Sequence, residues 1–214
     1  MNAVTAPVIT VRSDLRLKWG FVRDQGPRPT CLAMATSDLH MLAHGESRAF
    51  AAEALLSYAV RHLPGGALGA GLTIPATAQA LRADGQPLEV VWPYGGARSP
   101  GAHNHWFGEL TSAVGTNVAD AATRIESGSP VLMVIRLTND FFRARAPWVI
   151  YDTGPGYALH AVVGAGTGAD EHGDLFVLIR NSWGHQWGDA GCIWVHHQYL
   201  ARNLVEWCAV RMKV

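Results

Sequence analysis

Leu178-Ile179-Arg180-Asn181-Ser182-Trp183-Gly184-His185-Gln186-Trp187-Gly188 is an apolar run that halts on an amide, then sets two tryptophans four residues apart among glycines. The run up to Arg180 reads as a strand, and Gly184 and Gly188 as turn positions. By itself the stretch is an ordinary turn packed by aromatic rings. Upstream, in Gly156-Tyr157-Ala158-Leu159-His160-Ala161-Val162-Val163-Gly164, His160 opens a strand that would otherwise be all core. Alone, it reads as a core histidine satisfied by a backbone carbonyl.

Around these segments the chain of 214 residues is 49% apolar and 16% charged, with 17 basic and 17 acidic side chains and a pI near 7.2. A nucleic-acid binder working through bulk charge is excluded, because it needs a basic face. No apolar run approaches the ~18–20 residues of a membrane-spanning helix. The first sixteen residues lack the basic-then-apolar order of a signal peptide. Cys31, Cys192 and Cys208 are too few and too odd for a disulfide framework. A cytoplasmic location, no membrane and no nucleic-acid partner are expected, and the Ala/Gly/Arg-rich composition suits a bacterial source.

Periodicity and turn residues predict helices from Thr30 to His44, Arg48 to Leu63, Ile74 to Ala83 and over nine residues from Val118. Thr30 is the expected cap of the first and Gly45 its stop. Strands follow at Val131–Leu137, Trp148–Tyr151, His160–Ala165, Leu175–Arg180, Cys192–His196 and Leu204–Met212, with Gly166–Asp174 as a polar turn. Helices first and strands second predict an α+β fold, its sheet antiparallel or a partial barrel, with a cleft where two lobes meet.

The third segment is Arg23-Asp24-Gln25-Gly26-Pro27-Arg28-Pro29-Thr30-Cys31, directly before the first long helix. A cysteine in a helix's first turn lies beside unsatisfied N–H groups and the positive end of the dipole, which favour thiolate. Alone, Cys31 reads first as a buried small hydrophobe. Together, a thiol, an imidazole and an amide are the parts of a nucleophile, a base and its orienter, in the chain order Cys, His, Asn.

On these residues the chain resembles the papain-like cysteine proteases over nearly its whole length. Gln25 stands six before Cys31; Asn181 to Gly188 matches Asn-Ser-Trp-Gly-x-x-Trp-Gly; Gly191-Cys192-Ile193-Trp194 follows it. His160 to Gly164 matches the histidine strand, its glycine one position early. Ser13 to Arg16 resembles the start of mature family chains, and Trp92-Pro93-Tyr94 their Tyr-Pro-Tyr. The resemblance implies a single two-lobe peptidase domain over residues 1–214. Its helical lobe would span about residues 19–107 and its sheet lobe 1–18 and 108–214, with the active site in the cleft.

It implies Cys31 as nucleophile, His160 as base and acid, Asn181 as orienter, Trp183 as a cover, and Gln25 with the Cys31 N–H as oxyanion donors. No cofactor or metal is implied, and the partner is a peptide or protein substrate. Gly69, Gly71, Trp92, Val134, Leu159 and Trp183 are the expected substrate-binding residues. Arg28 stands where the family usually has a disulfide cysteine, in keeping with a reducing compartment. Only 24 residues precede Gln25, and they match the mature region, so no pro-segment is expected. Restraint would come from a regulatory partner protein, from substrate access or from the Gly65–Gly71 loop, and specificity would be narrow. A papain-fold acyltransferase and a silent binding module stay as alternatives. His40 and His44 read as a solvated pair and His103, His105, His196 and His197 as surface polar clusters. Cys192 and Cys208 read as core, and Phe141–Ala146 as a loop able to dock a partner.

Overall fold

The structure, a computed structural model, describes residues 7–69, 71–111, 116–151 and 154–213. In chain order the elements are β1 (Thr10–Asp14), α1 (Cys31–Ala43), α2 (Ala52–Val60), α3 (Ile74–Ala83) and β2 (Gly108–Leu110). Then come α4 (Val118–Glu126), β3 (Val131–Leu137), α5 (Asn139–Phe142), β4 (Val149–Ile150), β5 (Ala158–Ala169) and β6 (Leu175–Arg180). The chain ends with β7 (Cys192–His196), α6 (His197–Asn203), β8 (Leu204–Cys208) and β9 (Val210–Met212). They fall into two compact units, the described residues of Gln25–Ala113 with Cys208–Val214, and those of Met1–Asp24 with Val114–Trp207.

The first unit is helical. Alanines at 51, 54, 59 and 80 are fully buried with Leu55 and Leu81, and these small side chains let α2 and α3 pack closely. α3 starts where expected, with Thr73 accepting from the Ala76 N–H at 3.3 Å. Thr30 departs from expectation: its hydroxyl makes no cap and instead meets the Tyr94 hydroxyl at 2.7 Å. α2 is shorter than predicted, because Phe50 is taken into a bridge with Leu88 and the Ala51 N–H into a bond to Pro87 O. The final strand region, read as one element, divides. β9 leaves for this unit and pairs antiparallel with β2.

The second unit holds a seven-stranded sheet in the order β4-β7-β6-β5-β3-β8, with β1 also paired to β5. β3, β6 and β7 fall on the predicted ranges. The sheet is mixed rather than purely antiparallel, because β4 runs parallel to β7. β5 runs four residues past Ala165, through part of the predicted turn. The reason is Gly166, where a Cβ would lie 2.5 Å from Ser13 O, so only a bare backbone lets β1 pair there. β1 lies within the N-terminal segment expected to pack on this sheet; residues 1–6 of that segment lie outside the described ones. Cys192 is buried in the sheet as predicted, and burial pushes its thiol up to about 11. Cys208 is buried as well.

Candidate active site

In the helical unit, Cys31 is the first residue of α1, and the first helical bond is Met34 N–H to Thr30 O at 3.1 Å. The Cys31 N–H therefore has no acceptor within the helix, and the thirteen-residue helix points its positive end at the thiol. The six residues before it form a tight loop held by polar bonds. Gln25 is buried, and its Nε2 donates to Arg28 O at 2.8 Å, a carbonyl that also accepts the Thr30 N–H at 2.8 Å. One amide hydrogen of Gln25 is thus committed to the loop, which fixes the orientation of its side chain.

Tyr94 ties this loop down from behind. Its hydroxyl donates to Gln25 O at 2.9 Å and so accepts from the Thr30 hydroxyl. Arg28 lays its guanidinium over the Tyr94 ring at 4.6 Å and pairs through two nitrogens with Glu53 of α2, at 2.7 and 2.8 Å. Glu53 also accepts the Gly95 N–H at 2.8 Å, and Arg28 holds its carboxyl below the ordinary value. The Trp92-Pro93-Tyr94 stretch earns its place through Tyr94. Trp92 packs against the alanine-rich core, edge-on to Tyr58. In the glycine loop, Gly71 approaches Pro29, two residues before Cys31, with 3.4 Å between Pro29 O and an added Cβ. Gly69 makes no comparable approach; Ala70 between them lies outside the described residues.

In the sheet unit, His160 is third in β5 and only 5% exposed. Its Nε2–H donates to Asn181 Oδ1 at 2.7 Å, and that oxygen also accepts the Ser182 N–H at 2.8 Å. Asn181 is the first residue past β6, where its N–H bonds Gly191 O at 2.9 Å. With the proton held on Nε2, Nδ1 is the ring's lone pair. Burial pushes His160 down to about 4, opposed by the Asn181 bond, so the uncompensated ring is neutral near pH 7. Trp183 lies against the imidazole at 4.9 Å between centroids. It is held by a bridge to Asp24 and by the Gly184 N–H donating to Arg23 O at 2.9 Å. The second glycine of the stretch, Gly188, sits at φ 64°, where an added Cβ would overlap Cys192 O, which leaves no room for a side chain.

Pairing register decides the remaining expected residues. Val134 lies opposite Ala161 and Leu159 opposite Arg136, so Val134, Leu159 and Ala161 share one face of the sheet. His160, opposite Ile135, is on the other. Leu159 is 65% exposed there, an apolar side chain offered to solvent beside a buried histidine. Sequence reading missed Ala161 on that face. It also missed the outward ladder Trp183, Phe142, Tyr157: Phe142 stacks on Trp183 at 5.5 Å and 13°, and Tyr157 on Phe142 at 6.1 Å and 27°. Phe142 belongs to α5, where a loop was expected.

The profile of the family described as papain family cysteine protease matches residues 12–214. The chain belongs to that family. Digestive cysteine proteinase 2 of Homarus americanus is 27% identical over 88% of this chain and 60% of its own length. Cathepsin K of Gallus gallus is 36% identical over 38% of this chain and 23% of its own. The chain thus spans less than two thirds of these curated relatives. Among solved structures, xylellain, a cysteine protease from Xylella fastidiosa, superposes at TM-score 0.75 with 19% identity, over 98% of this chain and 91% of that one. The Carica candamarcensis cysteine protease CMS1MS2, solved with E-64, gives 0.72 and 22%, over 98% and 100%. The papain-like α+β fold is therefore the fold of this chain. Within that family its departure at Arg28 has a structural content: the ion pair to Glu53 anchors the loop at that position.

Proposed function

We propose that the chain is a cysteine peptidase acting through an acyl-thioester on Cys31. The observation that carries the reading is His160 Nε2–H bound to Asn181 Oδ1 at 2.7 Å, which fixes the tautomer and leaves Nδ1 as the base. A protonated, buried imidazole needs an anion beside it, and the Cys31 thiolate is the one assigned. Thiolate sulfur attacks the amide carbon, and the carbonyl π electrons move to oxygen. Gln25 and the Cys31 N–H then hold that oxyanion; one such donor is worth ~10²–10³ in rate. His160 gives its proton to the leaving nitrogen as the C–N bond breaks. Water, deprotonated by the now neutral His160, then hydrolyses the thioester, releasing acid and thiolate.

Because the acid protonates the leaving amine, the residues after the scissile bond lie on the His160 side. The ladder Trp183, Phe142, Tyr157 starts at that ring and supports an aromatic or aliphatic residue there. The exposed Leu159 face with Val134 and Ala161 supports an apolar residue elsewhere in the substrate. Gly69, Gly71 and Trp92 complete the assigned substrate contacts. The composition and the unpaired cysteines support a cytoplasmic, bacterial enzyme; narrow specificity, with restraint by substrate access or by a regulatory protein, belongs to the same proposal.

Alkylation of the purified protein by iodoacetamide from pH 4 to 9, with the adduct located by mass, tests the reading. An unperturbed thiol, of pKa about 8.5, is nearly inert at pH 5. Rapid modification of Cys31 at pH 5 that disappears in His160→Ala supports the ion pair; reaction only at alkaline pH in both proteins refutes it.

A further inference from the structure

Where β7 passes into α6, two adjacent residues point the same way. Successive side chains alternate across a strand and lie far apart around a helix. At this junction His196 keeps extended torsions (φ −64°, ψ 144°) while His197 is already helical, and the two rings come to 4.3 Å between centroids. β6 brings a carboxylate to them: Phe176 pairs with His196 across the ladder, and Asp174, two residues earlier, sets Oδ2 3.6 Å from His196 Nε2. One ligand atom from each of Asp174, His196 and His197 lies within 4.8 Å of the other two, the one such group of side chains among the described residues. This corrects the expectation of a surface polar cluster, since His196 is buried and His197 half-buried.

The bonding of the two imidazoles is incomplete. His197 Nδ1 is buried and has no hydrogen-bond partner, an uncommon state for a polar atom. His196 Nδ1 accepts only the long, 3.4 Å contact from the Gln198 N–H. Two neutral imidazoles and a carboxylate, with water completing the sphere, form the donor set of borderline divalent ions such as Zn²⁺ and Co²⁺. Coordination through His196 Nε2 moves that ring's proton to Nδ1 and gives up the long Gln198 contact, a small loss against a metal bond.

We propose that Asp174, His196 and His197 bind a divalent transition-metal ion that clips the start of β6 to the β7–α6 junction. The site uses none of the residues assigned to catalysis, so it stands independently of the peptidase reading.

Cobalt is the probe, added to the full-length Cys31→Ser chain so that no accessible thiolate competes. The expected result is one Co²⁺ per chain, with d–d absorption of nitrogen and oxygen ligands, no sulfur charge-transfer band, displacement by Zn²⁺ and a raised unfolding temperature. His197→Gln and Asp174→Asn should each weaken binding by at least ~10–100-fold, the cost of losing even an outer partner of a ligand. Circular dichroism of each variant without metal checks its fold. Absence of stoichiometric binding, or binding unchanged in both folded variants, overturns the proposal.

Discussion

Substituting Glu53 by alanine removes the anchor of the loop that carries the nucleophile, and its cost can be worked out from the contacts. A buried pair broken by loss of one partner costs about 3–5 kcal/mol, and an exposed pair about 0–1. Here the side chains are 36% and 12% exposed, for Arg28 and Glu53 respectively, so Arg28 can turn toward water when released. That places the pair near 2 kcal/mol by interpolation between those limits. The Gly95 N–H also loses its carboxylate acceptor, about 1–2 kcal/mol more. The sum, about 3–4 kcal/mol, corresponds to a fall in melting temperature of about 6–16 °C for a chain of this size.

Calorimetry on wild type, Glu53→Ala, Arg28→Met and the double variant isolates the pair through the coupling energy. The acid side carries a second signature. Arg28 holds Glu53 below its ordinary value, so the pair's contribution is complete above about 4.3, the unfolded value, and is lost as pH falls through the lower folded one. Glu53→Gln should remove that acid-side loss. Single variants whose effects simply add, with an unchanged acid profile, would falsify the assignment of the loop anchor to this pair.

Three further outcomes follow from the site and its frame. Asn181→Ala should lower kcat by ~10² with little change in KM, since it frees the imidazole without removing it; steady-state kinetics reads this. Gly188→Ala should destabilise by roughly 2–4 kcal/mol, from a left-handed backbone and overlap with Cys192 O, measured by urea titration. His40 is fully buried, its Nδ1–H donating to Gln86 Oε1 at 2.9 Å, and burial lowers it to about 4. The unfolded chain therefore binds the extra proton below about 6.5, stability falls between there and about 4, and His40→Gln should flatten part of that slope between pH 6.5 and 5.

Where signals are local, the sequence carries them. The Asn181–Gly188 stretch marks its own turn, because Gly184 and Gly188 both take left-handed torsions (φ 76° and 64°), and α3 follows from Thr73 and Pro75. The family and the fold class were legible for that reason, and the four residues assigned to chemistry were chosen from the same short motifs. What escaped depends on partners distant in the chain. The length of β5 is set by β1, which comes from the N-terminal segment. Arg28 reads as a missing cysteine until Glu53, on another helix, gives it a purpose. His40 reads as solvated because only Gln86 and the surrounding aromatic rings make its burial tolerable. The turn between β7 and α6 that brings His196 and His197 together is a matter of two backbone torsions, which no pattern of residue types encodes.

The two compact units prepare their chemical groups by different physical means, and this predicts how each tolerates change. Around Cys31 the working parts are largely backbone: a helix N-terminus, the Arg28 carbonyl that orients Gln25, and a hydroxyl relay from Thr30 through Tyr94 to Gln25 O. Side-chain substitutions there act through the position of the loop and should trade against stability. Around His160 the working part is one titratable ring whose proton is fixed by a single bond and whose basicity is lowered by burial. Substitutions there should shift pH dependence with little effect on folding. A variant near Cys31 that alters the pH profile without altering stability, or one near Asn181 with the reverse behaviour, would show that this division is drawn in the wrong place.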